Sequence, residues 1–194
     1  MEKNLKTLKR DILRYRITNV FYAFLLALYA WLITDWFYDD FFHQNSLWVN
    51  IGCVILIIII AWIRNVEIKD EIKQEIGFLM GLSHVVIKVN QERLVSLLSL
   101  KEEFSSLCNY ADGVKIIADR LSEIHDLKKD QVIEYCKESK VGRTKIITSK
   151  IEIPMDFNGQ RKLADEMDEE IREDTKREKL ILAELEKIEK KFTK

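Results

Sequence analysis

Two long apolar runs near the start of the chain constrain its fold more than any other feature. Ile17–Thr34 and Leu47–Ile63 contain no Asp, Glu, Lys, Arg or His. As helices, they would each span roughly 26 Å at about 1.5 Å per residue, close to the ~30 Å hydrocarbon core of a bilayer. The runs therefore predict a two-helix transmembrane hairpin over residues 17–63. The alternative is a buried core hairpin, which a chain of 194 residues rarely covers on every face.

The distribution of charge around the two runs predicts their orientation. In residues 1–16 the apolar residues Leu5, Leu8, Ile12 and Tyr15 fall at helical spacing and are surrounded by six bases, which indicates a basic amphipathic arm. The connection Asp35–Ser46 contains no Lys or Arg. Because basic flanks stay on the cytoplasmic side, we expect a multi-pass protein with both the N- and the C-terminus cytoplasmic.

The chain after the second run is long enough for one further domain. Apolar residues continue at helical spacing through residues 64–81, which predicts a helical stalk with Gly77 and Gly81 as candidate breaks. Residues 82–194 are predicted to form a cytoplasmic domain. Arg64–Lys194 contains 25 Lys and Arg against 27 Asp and Glu, so its net charge does not favour nucleic acid.

The pattern within this domain predicts an α+β fold. The short segment His84–Val89 is compatible with a strand or a helix end, and Thr144–Ile153 is rich in β-branched residues and predicts a strand or a tight strand pair. Asn90 and Asp130 are each predicted to cap the helix that follows them. A further helix is expected over Val114–His125, with Ile117, Leu121 and Ile124 on one face. The last predicted helix is Gly159–Lys194. The predicted fold class is therefore mainly α: a two-helix transmembrane hairpin, plus a cytoplasmic α+β domain with a small strand element and a long C-terminal helix.

Sequence signatures of catalysis are absent. The chain has no Walker loop, dinucleotide-binding glycine turn, zinc spacing or nucleophile elbow. Its three cysteines share no metal-like spacing, and its three histidines are scattered. We therefore expect neither an enzyme nor a metal or other cofactor.

One basic segment, Lys137–Lys150, is a candidate ligand-binding site. It has a local net charge of +4, hydroxyl donors and a glycine, which is the composition of a small phosphate-binding surface. The candidate ligand-binding residues are Lys137, Lys140, Arg143, Thr144, Lys145 and Lys150. The alternative is a solvated turn and edge strand with ordinary lysines. A winged helix-turn-helix is disfavoured because its second helix would have too few bases, so no DNA partner is expected.

The whole arrangement resembles small two-span bacterial membrane effectors of anti-phage nucleotide signalling, and is most similar to the type III CRISPR ancillary membrane effector that binds cyclic tetra-adenylate. The resemblance covers the basic arm, the two runs and the following domain, but no signature motif, so no functional residue is transferred from it. It implies location in the bacterial inner membrane and a cyclic oligoadenylate ligand. It also implies a homo-oligomer, expected here as a dimer or tetramer, that perturbs the lipid bilayer when the ligand binds. The alternative function is a membrane-tethered adaptor or scaffold whose helices bind a protein partner.

The nucleotide hypothesis predicts that Arg143→Glu combined with Lys145→Glu abolishes ligand binding while the fold is retained, because both side chains are expected to be exposed. Isothermal titration of the domain starting near Gly77 against cyclic oligoadenylates measures this. Undiminished binding by the double variant, or no binding by the unmodified domain, would favour the adaptor.

Overall fold

The structure, a computed structural model, describes residues 2–37, 44–138 and 151–192. Within these ranges the chain forms the helices α1 (Glu2–Phe37), α2 (Gln44–Leu107), α3 (Gly113–Glu138) and α4 (Phe157–Phe192). It divides into two compact units, Lys3–Ile76 and Gly77–Lys194, the latter together with Met1–Glu2. Helix α2 contributes to both units.

The first unit is an antiparallel pair of helices. Helix α1 contains no Gly or Pro, so it continues without a break through the predicted junction between the basic arm and the first apolar run. The hydroxyl of Tyr15 on α1 donates a hydrogen bond to Oδ1 of Asn65 on α2. Nδ2 of Asn19 donates to the same oxygen at 3.3 Å. Asn65 therefore fixes the register of this pair.

No membrane-spanning helix is present among the residues that the structure describes. None of its helices has a stretch that is both long enough and apolar enough to cross a membrane. This finding overturns the predicted transmembrane hairpin over 17–63 and the assignment to the bacterial inner membrane as a multi-pass protein.

The second unit is a three-helix bundle of α2 after Gly77, α3 and α4. Side-chain bonds from Gln131 to Glu92 and from Tyr135 to the carbonyl of Phe78 show that α3 runs antiparallel to α2. A second set of side-chain hydrogen bonds joins α2 to α4: Ser83 with Glu178, Asn90 with Asp174, and Lys101 with Asp168. The residue numbers rise along α2 as they fall along α4, so these two helices are also antiparallel. Helices α3 and α4 therefore run parallel to each other.

One buried apolar cluster of the bundle takes three side chains from each helix. They are Leu97, Leu100 and Phe104 on α2, Ile117, Leu121 and Ile124 on α3, and Ala164, Met167 and Ile171 on α4. Ile151 and Ile153, which precede α4, pack against this cluster in irregular backbone. No strand occurs in the described ranges, and residues 144–150 of the predicted strand lie outside them. The α+β prediction is therefore wrong, because the described β-branched residues bury themselves against helices rather than in a sheet.

Several predicted helix boundaries are also wrong. His84–Val89 is helical, and neither Gly77 nor Gly81 interrupts α2. Asn90 lies in the middle of α2 and Asp130 in the middle of α3, so neither side chain is an N-cap. Asn90 is instead buried in the bundle, where its side chain bonds Asp174. In the sequence, a buried polar residue inside a continuous helix has the same appearance as an N-cap.

The connection between α2 and α3 depends on a glycine. A Cβ atom at Gly113 would lie 1.9 Å from the carbonyl oxygen of Leu107. The backbone nitrogen of Gly113 donates to the carbonyl of Tyr110 at 3.1 Å, which closes the turn. Only glycine allows this close approach, because the clashing atom belongs to the backbone.

We predict that Gly113→Ala lowers the free energy of unfolding by about 1–3 kcal/mol, because the added methyl group forces the backbone of the turn apart. Gly77→Ala is the matched control: its Cβ would meet nothing within 4 Å, and alanine favours a helix by up to about 1 kcal/mol. Urea unfolding followed by circular dichroism measures both. Equal effects of the two substitutions would contradict the proposed role of Gly113.

Candidate functional site

The predicted ligand-binding segment falls largely outside the described residues. Of its six candidates only Lys137 is described, as an exposed side chain in the last turn of α3. Lys140, Arg143, Thr144, Lys145 and Lys150 lie in the range 139–150, so the predicted site is neither assembled nor refuted. The nucleotide-binding hypothesis stays a prediction.

The most extensive unexplained surface is apolar and lies in the first unit. On α1 the exposed apolar side chains Leu13, Ile17, Val20, Phe24 and Trp31 follow one another at intervals of three, four or seven residues. Val20 is 70% exposed and Phe24 61% exposed. A stripe at this spacing is the pattern by which one helix packs along another.

Helix α2 presents a matching stripe in the same unit. Leu56, Ile60 and Ile63 are exposed and are spaced by four and three residues. We call the two apolar stripes together the outer face; it consists of Leu13, Ile17, Val20, Phe24 and Trp31 on α1, and Leu56, Ile60 and Ile63 on α2. Tyr15 and Asn19 on α1 contact Asn65 on α2, so each stripe lies on the side of its helix that points away from the other helix, and each is exposed apolar surface of the kind that marks an interaction site.

Charge borders the outer face at one end. The stripe on α1 continues toward its N-terminus into exposed Arg10 and Lys6. The stripe on α2 continues toward its C-terminus into exposed Glu67 and Asp70. Because α1 and α2 are antiparallel, these bases and acids border the same end of the helix pair.

The bundle contains a second notable feature, a layer of buried and half-buried polar side chains. Arg93 on α2 donates through Nε to the carbonyl of Ile124 on α3 at 2.8 Å and through Nη1 to Oδ1 of Asn90 at 3.3 Å. Nδ2 of Asn90 donates to Oδ2 of Asp174 on α4 at 2.9 Å. Lys128 on α3 also pairs with Oδ2 of Asp174. We call Ser83, Asn90, Arg93, Lys128, Asp174 and Glu178 the polar layer.

The two carboxylates of the polar layer have opposite pKa shifts. Burial tends to raise the pKa of Asp174, but hydrogen bonds from Lys128 and Asn90 outweigh burial, and the pKa is lowered. Burial raises the pKa of Glu178, and the nearby charge of Asp174 raises it further. The hydroxyl of Ser83, which donates to Oε2 of Glu178 at 3.2 Å, does not compensate.

A shallow groove between α2 and α3 is the third candidate. It has a volume of about 560 Å³ and is lined by Val95, Ser96, Ser99, Glu103, Arg120, Glu123, Ile124 and Leu127. Nη1 of Arg120 and Oε2 of Glu103 form a salt bridge there at 2.7 Å. These two charged groups therefore pair with each other and are not directed at a ligand. Over the described residues, no group of three or more His, Cys, Asp or Glu side chains could hold a metal ion.

The polar layer was missed by sequence reasoning, although a signal was present. On α2 the positions 83, 86, 90, 93, 97 and 100 alternate steps of three and four residues, and on α4 the positions 164, 167, 171, 174, 178 and 181 do the same. The polar members of these series occupy inward positions. Following the spacing through Asn90, Arg93, Asp174 and Glu178, instead of ending at the apolar residues, would have identified them.

Comparison with known proteins adds no relative. No protein-family model matches the chain, and no curated protein or solved structure is significantly similar to it.

The raised pKa of Glu178 predicts a pH-dependent effect of Glu178→Gln. A carboxyl group whose folded pKa exceeds its unfolded value lowers stability above the folded pKa, and this loss disappears as the pH falls below the unfolded value of about 4.3. The substitution should therefore raise the melting temperature at pH 7, and the gain should shrink toward pH 4. Glu186→Gln, at an exposed position of the same helix, is the control and should leave the melting temperature unchanged at both pH values. A gain that is equal at both pH values would contradict this assignment.

Proposed function

We propose that this chain is a helical scaffold protein whose first unit binds another protein through the outer face. The observation that supports the proposal is the exposure of large apolar side chains along both helices of that unit, represented by Val20 on α1 and Ile60 on α2. Exposed rows of large apolar side chains mark interaction sites in folded proteins.

The spacing of the outer face supports a helical partner. Helix α1 already uses one stripe, which includes Tyr15 and Asn19, to contact α2. Leu13, Ile17 and Val20 form a second stripe with the same alternation of three and four residues. A helix with two such stripes packs between two neighbours, and only one of these neighbours belongs to its own helix pair.

The contacts of the bundle support a structural role for the second unit. Lys101 on α2 binds both Asp165 and Asp168 on α4, at 2.8 and 3.1 Å. Arg172 pairs with the other oxygen of Asp168 at 2.6 Å. These ion pairs connect α2 to α4 and one turn of α4 to the next, as expected for a unit that holds a fixed shape in a scaffold.

A thiol-protection experiment tests the proposal. In a chain freed of cysteine by Cys53→Ala, Cys108→Ser and Cys136→Ala, we introduce Val20→Cys on the outer face or Val95→Cys on α2 of the bundle. Val95 is 69% exposed and matches Val20 in residue type and exposure. In fresh lysate of the expressing cell, the thiol at position 20 should react with a maleimide at least tenfold more slowly than the thiol at position 95. In denaturant the two rates should be equal.

Two results would overturn the scaffold proposal. Equal maleimide rates at positions 20 and 95 in lysate would mean that nothing covers the outer face. Protection that accompanies flotation of the purified chain with phosphatidylglycerol vesicles, and that is lost when lipid is removed, would mean that the covering material is not protein.

A further inference from the structure

We infer that the partner bound along the α1 stripe of the outer face is an amphipathic helix of another protein, whose carboxylates meet the bases at the N-terminal end of the stripe. This inference rests on the proposed function and names the chemistry of its partner. It concerns α1 alone, because the stripe on α2 points away from the opposite side of the helix pair.

The stripe on α1 follows a single heptad register. In the heptad notation abcdefg, its exposed side chains alternate between positions a and d, which are the contact positions of a coiled coil. The members of this row, in chain order, are Lys6, Arg10, Leu13, Ile17, Val20, Phe24, Ala27 and Trp31. The row therefore begins with two bases and continues with apolar side chains only.

Two further arginines flank the row where its apolar part begins. Arg14 occupies position e and Arg16 occupies position g, and both are exposed. Each is turned by about 100° from its neighbour in the row, Arg14 to one side of Leu13 and Arg16 to the other side of Ile17. Charged residues at e and g form salt bridges with the partner helix and select it. A helix that lies on the row therefore passes between two guanidinium groups.

The nearby acid on α1 does not neutralise these bases. Oδ1 of Asp11 lies 4.0 Å from Nε of Arg10 and 3.9 Å from Nη1 of Arg14. The side chains of Arg10 and Arg14 are 62% and 70% exposed, so both contacts are solvated and contribute little. One carboxylate shared by two guanidinium groups leaves net positive charge at this end of the stripe.

A partner must complement both parts of the row. Its apolar side chains cover the part from Leu13 to Trp31, and its carboxylates meet the bases that precede and flank that part. A neutral apolar helix would desolvate Arg10 without supplying a counter-charge, which is unfavourable. A basic helix would place like charges side by side, which also opposes binding. Charge complementarity therefore selects an acidic helix.

Charge reversal in the thiol-protection experiment tests the inference. Protection is taken as the maleimide rate of the purified chain divided by its rate in fresh lysate, so a change in the reactivity of the thiol itself cancels. In the cysteine-free chain with Val20→Cys, the pair Arg14→Glu and Arg16→Glu should weaken binding about tenfold. A tenfold protection then falls to about twofold, because protection is one plus the ratio of free partner to its dissociation constant.

Two matched variants separate charge from other effects. Arg14→Lys with Arg16→Lys keeps the charge and should retain at least half of the protection. Lys162→Glu with Lys187→Glu, at exposed positions of α4, changes the net charge as much as the reversal does and should leave the protection unchanged. Circular dichroism checks that every variant is folded. The inference is wrong if protection survives the reversal at positions 14 and 16, or if either matched variant loses it.

Synthetic helices supply a partner of known chemistry. The acidic peptide has leucine at a and d and glutamate at e and g over four heptads, and the control peptide has lysine at e and g. Fluorescence anisotropy with the full chain should give an at least tenfold lower dissociation constant for the acidic peptide. The net charge of the chain is −1, so its overall charge does not favour that peptide. Equal affinities, or a preference that survives Arg14→Glu with Arg16→Glu, would contradict the inference.

The outcomes separate the inference from the proposed function. If the unmodified chain shows no protection at position 20 in lysate, the scaffold proposal fails. If it is protected but insensitive to the reversal at positions 14 and 16, the scaffold proposal stands and the acidic partner is wrong. Lipid phosphates and nucleic acids are also anionic, so the measurement is repeated in lysate cleared of membranes and treated with nuclease. Protection that either treatment removes overturns the inference, because the anion is then not a protein carboxylate.

Discussion

Asp174 is the side chain on which the arrangement of the bundle depends, because it connects all three helices. Oδ2 of this carboxylate accepts from Asn90 on α2 and pairs with Lys128 on α3. A shift of any helix by one turn would separate these groups and leave buried polar atoms without partners, which costs about 1–3 kcal/mol for each. Apolar contacts alone tolerate such shifts far better. The polar layer therefore selects one register of the bundle, as single buried polar residues do in coiled coils.

The contrast between Asp174 and Glu178 shows how local partners decide the effect of burial. The two residues lie one turn apart on the same face of α4, where Glu178 is buried and Asp174 is half-buried. Asp174 meets a cation and an amide donor, so its charged form is favoured and its pKa is lowered. Glu178 meets the hydroxyl of Ser83 and the like charge of Asp174, so its pKa is raised. The first carboxylate supports the fold near neutral pH, whereas the second weakens it there.

Apolar periodicity made part of the fold predictable and left the rest unpredictable for physical reasons. The spacing of Ile117, Leu121 and Ile124 placed one face of α3 correctly in the core. Polar residues at inward positions conceal the continuity of the helices, which is why the sequence predicts Asn90 as a cap although it lies inside α2. The described β-branched residues Ile151 and Ile153 pack on the helical core, a contact that no local pattern specifies. Of the candidate phosphate site, only Lys137 lies in the described part of the chain.

The first unit also explains why hydropathy alone misjudged the two apolar runs. Hydropathy counts apolar residues but does not ask which face of a helix they occupy. On α1, Tyr15 and Asn19 face α2 through hydrogen bonds, while Leu13, Ile17 and Val20 form a separate stripe. Two stripes around one helix make the sequence read as apolar on every side, although each stripe has the spacing of a helix contact. A half-exposed large apolar side chain gains about 1 kcal/mol when it is covered, and association costs at least about 4 kcal/mol. A single side chain of the outer face therefore does not offset that cost, and a partner would have to cover several of the eight together.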